Sequence, residues 1–291
     1  MSVVLTYGAS GTQGGPVARQ LVERGEDVRL LVRNPDAVRQ LEAGGAELAI
    51  GDLVDADSLR EAHRDVDRVF LHLPLQYDFE LHKAYGANAI AAAREAGAEL
   101  IVLNTTAHVI DGTDVEVYNV RRHTLDQLAD SGVPAVVFRP TFYMEIFLGP
   151  WIMPGIQEQG VIAFPLPNDF PMSWVSAEEV GAYCVAALDR PDLAGQSFDI
   201  GGPEALTGDE IAARVSALLG RTITWVTIDP SDYEQALVPL FGGAVAAAVA
   251  DQVRYIIANN IGPVDMTPTR DELGVEAISF EAWAKLQAWG S

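Results

Sequence analysis

Short apolar runs alternate with longer amphipathic stretches along the first half of the chain. The runs are rich in Val, Leu and Ile and predict β-strands, whereas the stretches between them repeat apolar residues at helical spacing. The runs are nearly continuous rather than alternating with polar residues, so we expect strands buried on both faces, as in a parallel sheet. The predicted strands are 3–7, 27–32, 47–52, 68–73, 100–104 and 135–140, with helices at 16–22, 36–43, 78–96 and 117–130.

Strands that alternate with helices imply right-handed crossovers and a doubly wound α/β fold of the Rossmann type, which binds ligands at the carboxyl ends of its strands. Beyond Pro140 the pattern loosens, and residues 142–174 are rich in aromatics and proline. Further on, the pattern predicts helices after Ser176 and Thr207, strands at 196–202 and 223–228, and helices at 231–241, 244–258 and 279–289. We therefore expect a doubly wound domain at 1–155, completed by about 175–202, and a smaller α/β portion at 156–174 and 203–291.

Three glycines lie between the first strand and the first helix, spaced G-x-x-G-x-x-G. Glycines there let backbone N–H groups approach a pyrophosphate, and the helix N-terminus supplies positive potential. The alternative is a tight turn with no ligand, which the strand–turn–helix context makes the weaker interpretation. The cofactor-binding residues predicted here are Gly8, Ser10, Gly11, Thr12, Gln13 and Gly14.

The ends of the second and third strands indicate which dinucleotide binds. NAD sites usually place an acidic residue after the second strand, whereas this chain has Arg33, which suits the 2′-phosphate of NADP. A solvent-facing arginine is the alternative. Asp52 follows the third strand, where its carboxylate could accept a hydrogen bond from the adenine amino group or could cap the turn that follows.

The composition restricts the remaining possibilities. A net charge of −22, with only two lysines, argues against the binding of DNA or RNA. There is no apolar run long enough to span a membrane, and Cys184 alone can form neither an internal disulfide nor a cysteine metal cage. No metal-ligand or hydrolase motif occurs. The first strand begins at once, which leaves no room for a signal peptide, so we expect a cytoplasmic protein.

Taken together, several segments resemble the NmrA-like group of atypical short-chain dehydrogenase/reductases. The resemblance extends over nearly the whole chain and is carried by residues 8–14, 32–35, 51–52, 131–134, 139–145 and 198–203. It implies a Rossmann fold that binds NADP and a small C-terminal substrate-binding portion. Members of the group include quinone and ketone reductases and redox-sensing regulators that bind NADP without turnover.

The chain departs from the wider short-chain reductase pattern at the proton donor. Those enzymes use a Tyr-x-x-x-Lys pair, but here Tyr118 is followed by Arg122. The resemblance places Arg121 where many NmrA-like proteins have a lysine, and Thr105 or Thr106 where the usual serine lies. The predicted catalytic residues are therefore Tyr118, Thr106 and Arg121. Predicted further contacts to the cofactor are Leu73, Pro74, Thr105, Arg121, Pro140 and Phe142.

The aromatic segment after the sixth strand should lie over the carboxyl edge of the sheet, where hydride transfer would occur. Such a wall suits a flat ketone or quinone. The predicted substrate-binding residues are Gln76, His108, Tyr143, Phe147, Trp151 and Trp174. The sequence thus predicts an NADPH-dependent reductase of a carbonyl or quinone, as a monomer or homodimer; the alternatives are an NADP-binding redox sensor and an NAD(P)-assisted epimerase.

Overall fold

A seven-stranded parallel sheet forms the centre of the structure, a computed structural model that describes residues 2–74, 76 and 78–289. Its strand order is β10-β6-β5-β4-β1-β2-β3. The strands are β1 Val3–Thr6, β2 Asp27–Val32, β3 Glu47–Ile50, β4 Arg68–His72, β5 Leu100–Asn104, β6 Ala135–Pro140 and β10 Ser197–Ile200. Because β1 lies between β2 and β4, the order reverses at this point, and a crevice opens above the carboxyl ends of β1 and β4.

Helices cover both faces of this sheet, as the unbroken apolar strands require. One face packs against α1 and α6, and the other against α3, α4 and α5. Two of the longest helices end at a glycine in the left-handed region, Gly97 after α4 and Gly132 after α5. The helices of this part of the chain are α1 Gly14–Glu23, α2 Arg39–Ala43, α3 Ala56–Ala62, α4 Phe79–Ala96, α5 Glu116–Ser131 and α6 Ala177–Leu188.

The rest of the chain builds a second core beside the carboxyl edge of the sheet. Among the described residues, two small sheets and four helices surround a buried aromatic cluster that includes Phe147, Phe164 and Trp174, while a fifth helix packs against α6 and β10. The strands are β7 Phe142–Tyr143, β8 Val161–Phe164, β9 Met172–Val175, β11 Ala205–Leu206 and β12 Thr224–Thr227. The helices are α7 Gly208–Leu219, α8 Pro230–Phe241, α9 Gly243–Ala258, α10 Thr267–Leu273 and α11 Phe280–Lys285.

The predicted fold class is confirmed, and the differences concern short elements. The short helices α3 and α10 and the strands β8 and β9 were not predicted, because each is too short to show a clear apolar period. The predicted helix at 36–43 begins as a single tighter turn at Pro35–Val38, and the predicted helix at 279–289 ends at Lys285. The division into a Rossmann domain and a substrate-binding portion stays a proposal.

Candidate functional site

The glycine loop between β1 and α1 is shaped by contacts that only glycine permits. Gly8 has a φ of +69°, and its carbonyl accepts a hydrogen bond of 2.9 Å from the N–H of Gly11. A Cβ on Gly14 would lie 2.5 Å from the carbonyl oxygens of both Tyr7 and Gly8. Helix α1 can therefore start directly against β1, as dinucleotide-binding folds require.

The exposed part of this loop presents free donors. Within the described residues, the backbone N–H groups of Ser10, Thr12 and Gln13 donate to no other group of the chain. Unpaired N–H groups at the start of a helix form a site for an anion. The loop thus fits the pyrophosphate of a dinucleotide.

A cavity of about 360 Å³ adjoins the loop on the side of β2 and β3. Arg33 lines it with an exposed side chain, and no carboxylate of the described chain lies within ion-pair distance of its guanidinium. This is unusual in so acidic a protein, where most exposed arginines are ion-paired. Asp52 lines the same cavity, and its Oδ1 accepts from the Val54 N–H at 3.1 Å, as the turn-capping alternative predicted. The contact of Arg33 with a 2′-phosphate stays a prediction.

The segment after β4 forms the opposite wall of the crevice. Leu73 is buried and Pro74 exposed, and Gln76 uses its Oε1 to accept from the Asp78 N–H at the start of α4. His72 packs its ring against Gly8, where a Cβ would lie 2.8 Å from the imidazole Cδ2. Burial, aided by the nearby Arg121 charge, lowers the pKa of His72 to about 4, so this imidazole is neutral at pH 7.

Asn104, at the carboxyl end of β5, holds the site together and was not predicted. Its Nδ2 donates to Gln13 Oε1 at 3.2 Å and to the Tyr143 hydroxyl at 3.1 Å. Its Oδ1 accepts from the N–H of Thr106 at 2.8 Å. Thr106 has a φ of +66°, a left-handed conformation that a threonine rarely adopts. Asn104 thereby fixes a strained turn beside the glycine loop.

Arg121 lies beneath this turn and is 6% exposed. Its Nε donates to the Thr105 carbonyl at 2.6 Å, and its Nη2 donates to the Thr106 hydroxyl at 2.6 Å. The Thr105 hydroxyl donates to the carbonyls of Ala107 and Phe138. These three predicted residues therefore meet at one place, where they shape residues 104–107. Their predicted contacts to cofactor and substrate stay predictions.

A second, nearly closed cavity of about 20 Å³ lies on the other side of the same turn. We call it the inner cavity; it is lined by Ala107, His108, Tyr118, Thr141, Phe142, Met172, Gln252, Ile256, Ile261 and Gly262. Tyr118 is fully buried in α5 and packs edge-on against Tyr255, with ring centroids 5.8 Å apart. Arg122, which stands where the usual pair has its lysine, donates to the carbonyls of Ile110 and Thr113 before α5.

The aromatic residues predicted for the substrate wall divide into two groups. Phe142 lines the inner cavity, and Tyr143 donates its hydroxyl to Gln13 Oε1 at 2.9 Å, near the glycine loop. The expectation of an open pocket wall is wrong for Phe147 and Trp174, which are 0% and 1% exposed and stack in the second core with centroids 4.8 Å apart.

The remaining predicted positions, Trp151 and Pro140, also have structural contacts. Trp151 packs edge-on against Phe241, with ring centroids 5.5 Å apart, at the periphery of the second core. Pro140 ends β6 as a buried residue beside β10. Gln252 on α9 was not predicted as a site residue. Its sequence signal is weak, because Asp251 and Arg254 beside it in the same helix are polar as well.

The described residues contain no cluster of side chains able to hold a metal ion. Among these residues there is also no helix with the length and apolar character needed to span a membrane.

Comparison with known proteins places the chain in a family. The model of the NmrA-like family matches residues 1–283. The chain is 31% identical to an NAD(P)H azoreductase of Xenophilus azovorans, over 98% of each sequence. It is also 31% identical to a (4-alkanoyl-5-oxo-2,5-dihydrofuran-3-yl)methyl phosphate reductase of Streptomyces griseus, over 97% of this chain and 96% of that protein.

The fold also resembles that of solved structures over nearly the whole chain. The NADPH-dependent quinone oxidoreductase of Escherichia coli, solved with NADPH, superposes with a TM-score of 0.80 at 21% identity, covering 97% of this chain and 98% of that one. The predicted resemblance is thus confirmed. On the family match over almost its whole length, the chain belongs to the NmrA-like family.

Proposed function

We propose that this protein is an NADPH-dependent reductase that transfers hydride to a quinone, carbonyl or azo group of a small aromatic compound. Its class is that of an NAD(P)H-dependent oxidoreductase, as expected of a chain 31% identical to an azoreductase over nearly its full length. Which chemical group of the substrate accepts the hydride is proposed from the geometry of the candidate site.

The cofactor is NADP(H), and the chain offers a group for each of its charged parts. The free N–H groups of the glycine loop would bind the pyrophosphate, and Arg33 would bind the 2′-phosphate. When bound, the cofactor supplies the hydride; the protein's part is to bind and orient it and to shield the reaction from water.

The placement of the inner cavity is the observation that carries the proposal. The single segment 104–108 lines two small cavities. Asn104, Thr105 and Thr106 line one of about 20 Å³, which is also lined by Leu73 and Arg121, and Ala107 and His108 line the inner cavity. Both cavities lie at the carboxyl edge of the sheet, where the fold binds its ligands. A cofactor bound along the crevice and an acceptor beside residues 104–108 would therefore lie in contact, which requires the inner cavity, with room for about one water molecule, to widen when the acceptor binds.

Reduction of a quinone would use one hydride and one proton. The hydride carries two electrons from NADPH to the quinone, which leaves NADP⁺, and a proton from water completes the hydroquinone. Tyr118 is the proposed donor of that proton, since its side chain lines the inner cavity. Thr106 and Arg121 would act by holding the turn at residues 104–107 in place.

Steady-state oxidation of NADPH tests the proposal. The purified protein should oxidise NADPH in the presence of quinones, aromatic ketones or azo dyes, followed by the absorbance of the reduced nicotinamide, and should do so faster with NADPH than with NADH. Binding of NADPH without oxidation by any acceptor of a broad panel would contradict it.

A redox sensor is the second candidate function. The closed state of the inner cavity, with room for about one water molecule, favours it, because a sensor needs no space for a substrate. A sensor would bind NADPH and NADP⁺ with different affinities and would reduce no quinone, aromatic ketone or azo dye. No contact in the described structure favours the epimerase alternative.

A further inference from the structure

The side chain of Gln13, the residue directly before α1, contacts the carboxyl end of β5. Its Oε1 accepts from Asn104 Nδ2 at 3.2 Å and from the Tyr143 hydroxyl at 2.9 Å. A carboxamide oxygen has two lone pairs, so these two donors fill its capacity for hydrogen bonds. The oxygen end of this amide is therefore fully occupied within the protein.

A backbone group fixes which way the two amides point. The N–H of Thr106 can only donate, so the atom of Asn104 that it meets at 2.8 Å is the oxygen. The Nδ2 of Asn104 then faces Gln13, which must present its own oxygen, because the reverse orientation would bring two NH₂ groups together. The Nε2 of Gln13 is thus the end of the amide that points away from Asn104 and Tyr143.

This Nε2 is a free donor on the surface of the crevice. Within the part of the chain that the structure describes, it donates to no group, and it is not among the atoms buried without a partner. It stands at the start of α1, next to the loop N–H groups that fit a pyrophosphate. Because Arg33 lies at the opposite end of the crevice, beyond β1 at the end of β2, Gln13 lies on the side expected for the nicotinamide half.

We propose that Gln13 Nε2 donates to an oxygen of the nicotinamide mononucleotide half of NADP(H), and that Asn104 and Tyr143 are positioning residues that hold the amide in this orientation. Two hydrogen bonds fix the side chain before the cofactor arrives, so little conformational entropy is lost on binding. The inference rests on the cofactor placement in the proposed function, but it does not depend on turnover.

A ligand that lacks the nicotinamide half isolates this contact. Adenosine 2′,5′-bisphosphate carries the adenosine half and the 2′-phosphate alone. In Gln13→Met we expect the Kd for NADPH to rise about tenfold and the Kd for the bisphosphate to change less than about twofold. Titration calorimetry measures both. Gln235→Met, at an exposed position on α8, is the control. An equal change for the two ligands, or no change for NADPH, would overturn the contact.

A double-mutant cycle tests the positioning role. Tyr143→Phe removes one of the two donors to Gln13 and should raise the Kd for NADPH about threefold in the parent protein. In the Gln13→Met background the same substitution should leave that Kd unchanged, since no amide remains to be held. Equal effects in both backgrounds would overturn the positioning role. If Gln13→Met does not fold, Gln13→Glu, which keeps an acceptor for both donors, replaces it, with Gln235→Glu as its control.

Failure of this inference can be separated from failure of the proposed function, because every readout is a binding constant. If Gln13→Met binds NADPH as the parent protein does while the parent oxidises NADPH, the reductase stands and only the contact is overturned. If the binding constants follow the expected pattern but no acceptor is reduced, the contact stands and the reductase is overturned.

Discussion

The side chain of Asn104 ties three parts of the site together. It bonds to Gln13 at the glycine loop, to Tyr143 after β6, and to the N–H of the strained Thr106. An amide can make these contacts at once because it offers both donors and an acceptor. Asn104 and Arg121 therefore hold the turn at 104–107 together.

Replacing Asn104 with leucine should destabilise the protein by about 2 kcal/mol, because buried polar partners would lose their hydrogen bonds. Urea unfolding measures the loss. Asn168→Leu is the control, since Asn168 is exposed and bonds only to Asp209 at the surface. Equal unfolding midpoints for the two variants would show that Asn104 does not hold the turn.

Arg33 should decide between the two nicotinamide cofactors. Replacing it with serine removes the charge-assisted bonds to a 2′-phosphate, and we expect the Kd for NADPH to rise roughly 10- to 100-fold while that for NADH changes little. Titration calorimetry with both cofactors makes the comparison. Arg94→Ser, on the exposed last turn of α4, controls for the loss of one positive charge. An equal rise for NADPH and NADH would contradict the 2′-phosphate role.

At the scale of elements, the contact of β1 with α1 is as tight as a backbone contact can be. Gly14 stands where any Cβ would overlap two carbonyl oxygens, whereas a Cβ on the adjacent Gly15 would lie 3.4 Å from the Ala9 carbonyl, an ordinary distance. Alanine at Gly14 therefore tests the contact of α1 with β1, and alanine at Gly15 is its control.

Gly14→Ala should destabilise the protein by about 3 kcal/mol or more and weaken NADPH binding, because the helix must move away from the strand. Gly15→Ala should change stability by less than about 1 kcal/mol. Thermal unfolding with and without NADPH measures both effects. Similar behaviour of the two variants would mean that the close approach of α1 to β1 is not needed.

The strands and long helices could be predicted because their apolar periods are strong and their ends carry glycine or capping residues. The short helix α3 could not, since its seven residues carry a mixed pattern and its start depends on the Asp55 cap. Phe147 and Trp174 show a second limit of prediction from sequence, which concerns the place of an aromatic side chain. An aromatic residue suits a core as well as a pocket, and tertiary packing decides which face it occupies.

Across the whole molecule, one buried carboxylate joins the Rossmann layer to the C-terminal segment. Glu179 on α6 is 0% exposed, and its Oε2 accepts from the Ile278 N–H at 3.0 Å. Burial raises the pKa of Glu179 to about 7, against the lowering effects of that hydrogen bond and of the Arg270 charge.

The raised pKa makes this carboxyl a source of instability at neutral pH. Between its ordinary pKa of 4.5 and about 7, the folded chain holds more protons at Glu179 than the unfolded chain, so this contribution to stability falls as pH rises. The difference in unfolding free energy between Glu179→Gln and the parent protein should therefore shift in favour of the variant by about 3 kcal/mol from pH 5 to pH 8. Urea unfolding across that range measures it. A difference that is independent of pH would contradict the assignment.

The central claim is that the protein oxidises NADPH by passing hydride to an aromatic acceptor. Its most direct test is an anaerobic single turnover, in which the preformed complex of protein and NADPH is mixed with less than one equivalent of ortho-naphthoquinone. We expect one NADPH to be oxidised and one hydroquinone to form for each quinone added, faster than in free solution. Retention of all NADPH in its reduced form, with the cofactor still bound, would contradict the claim and leave the protein as an NADP-binding sensor.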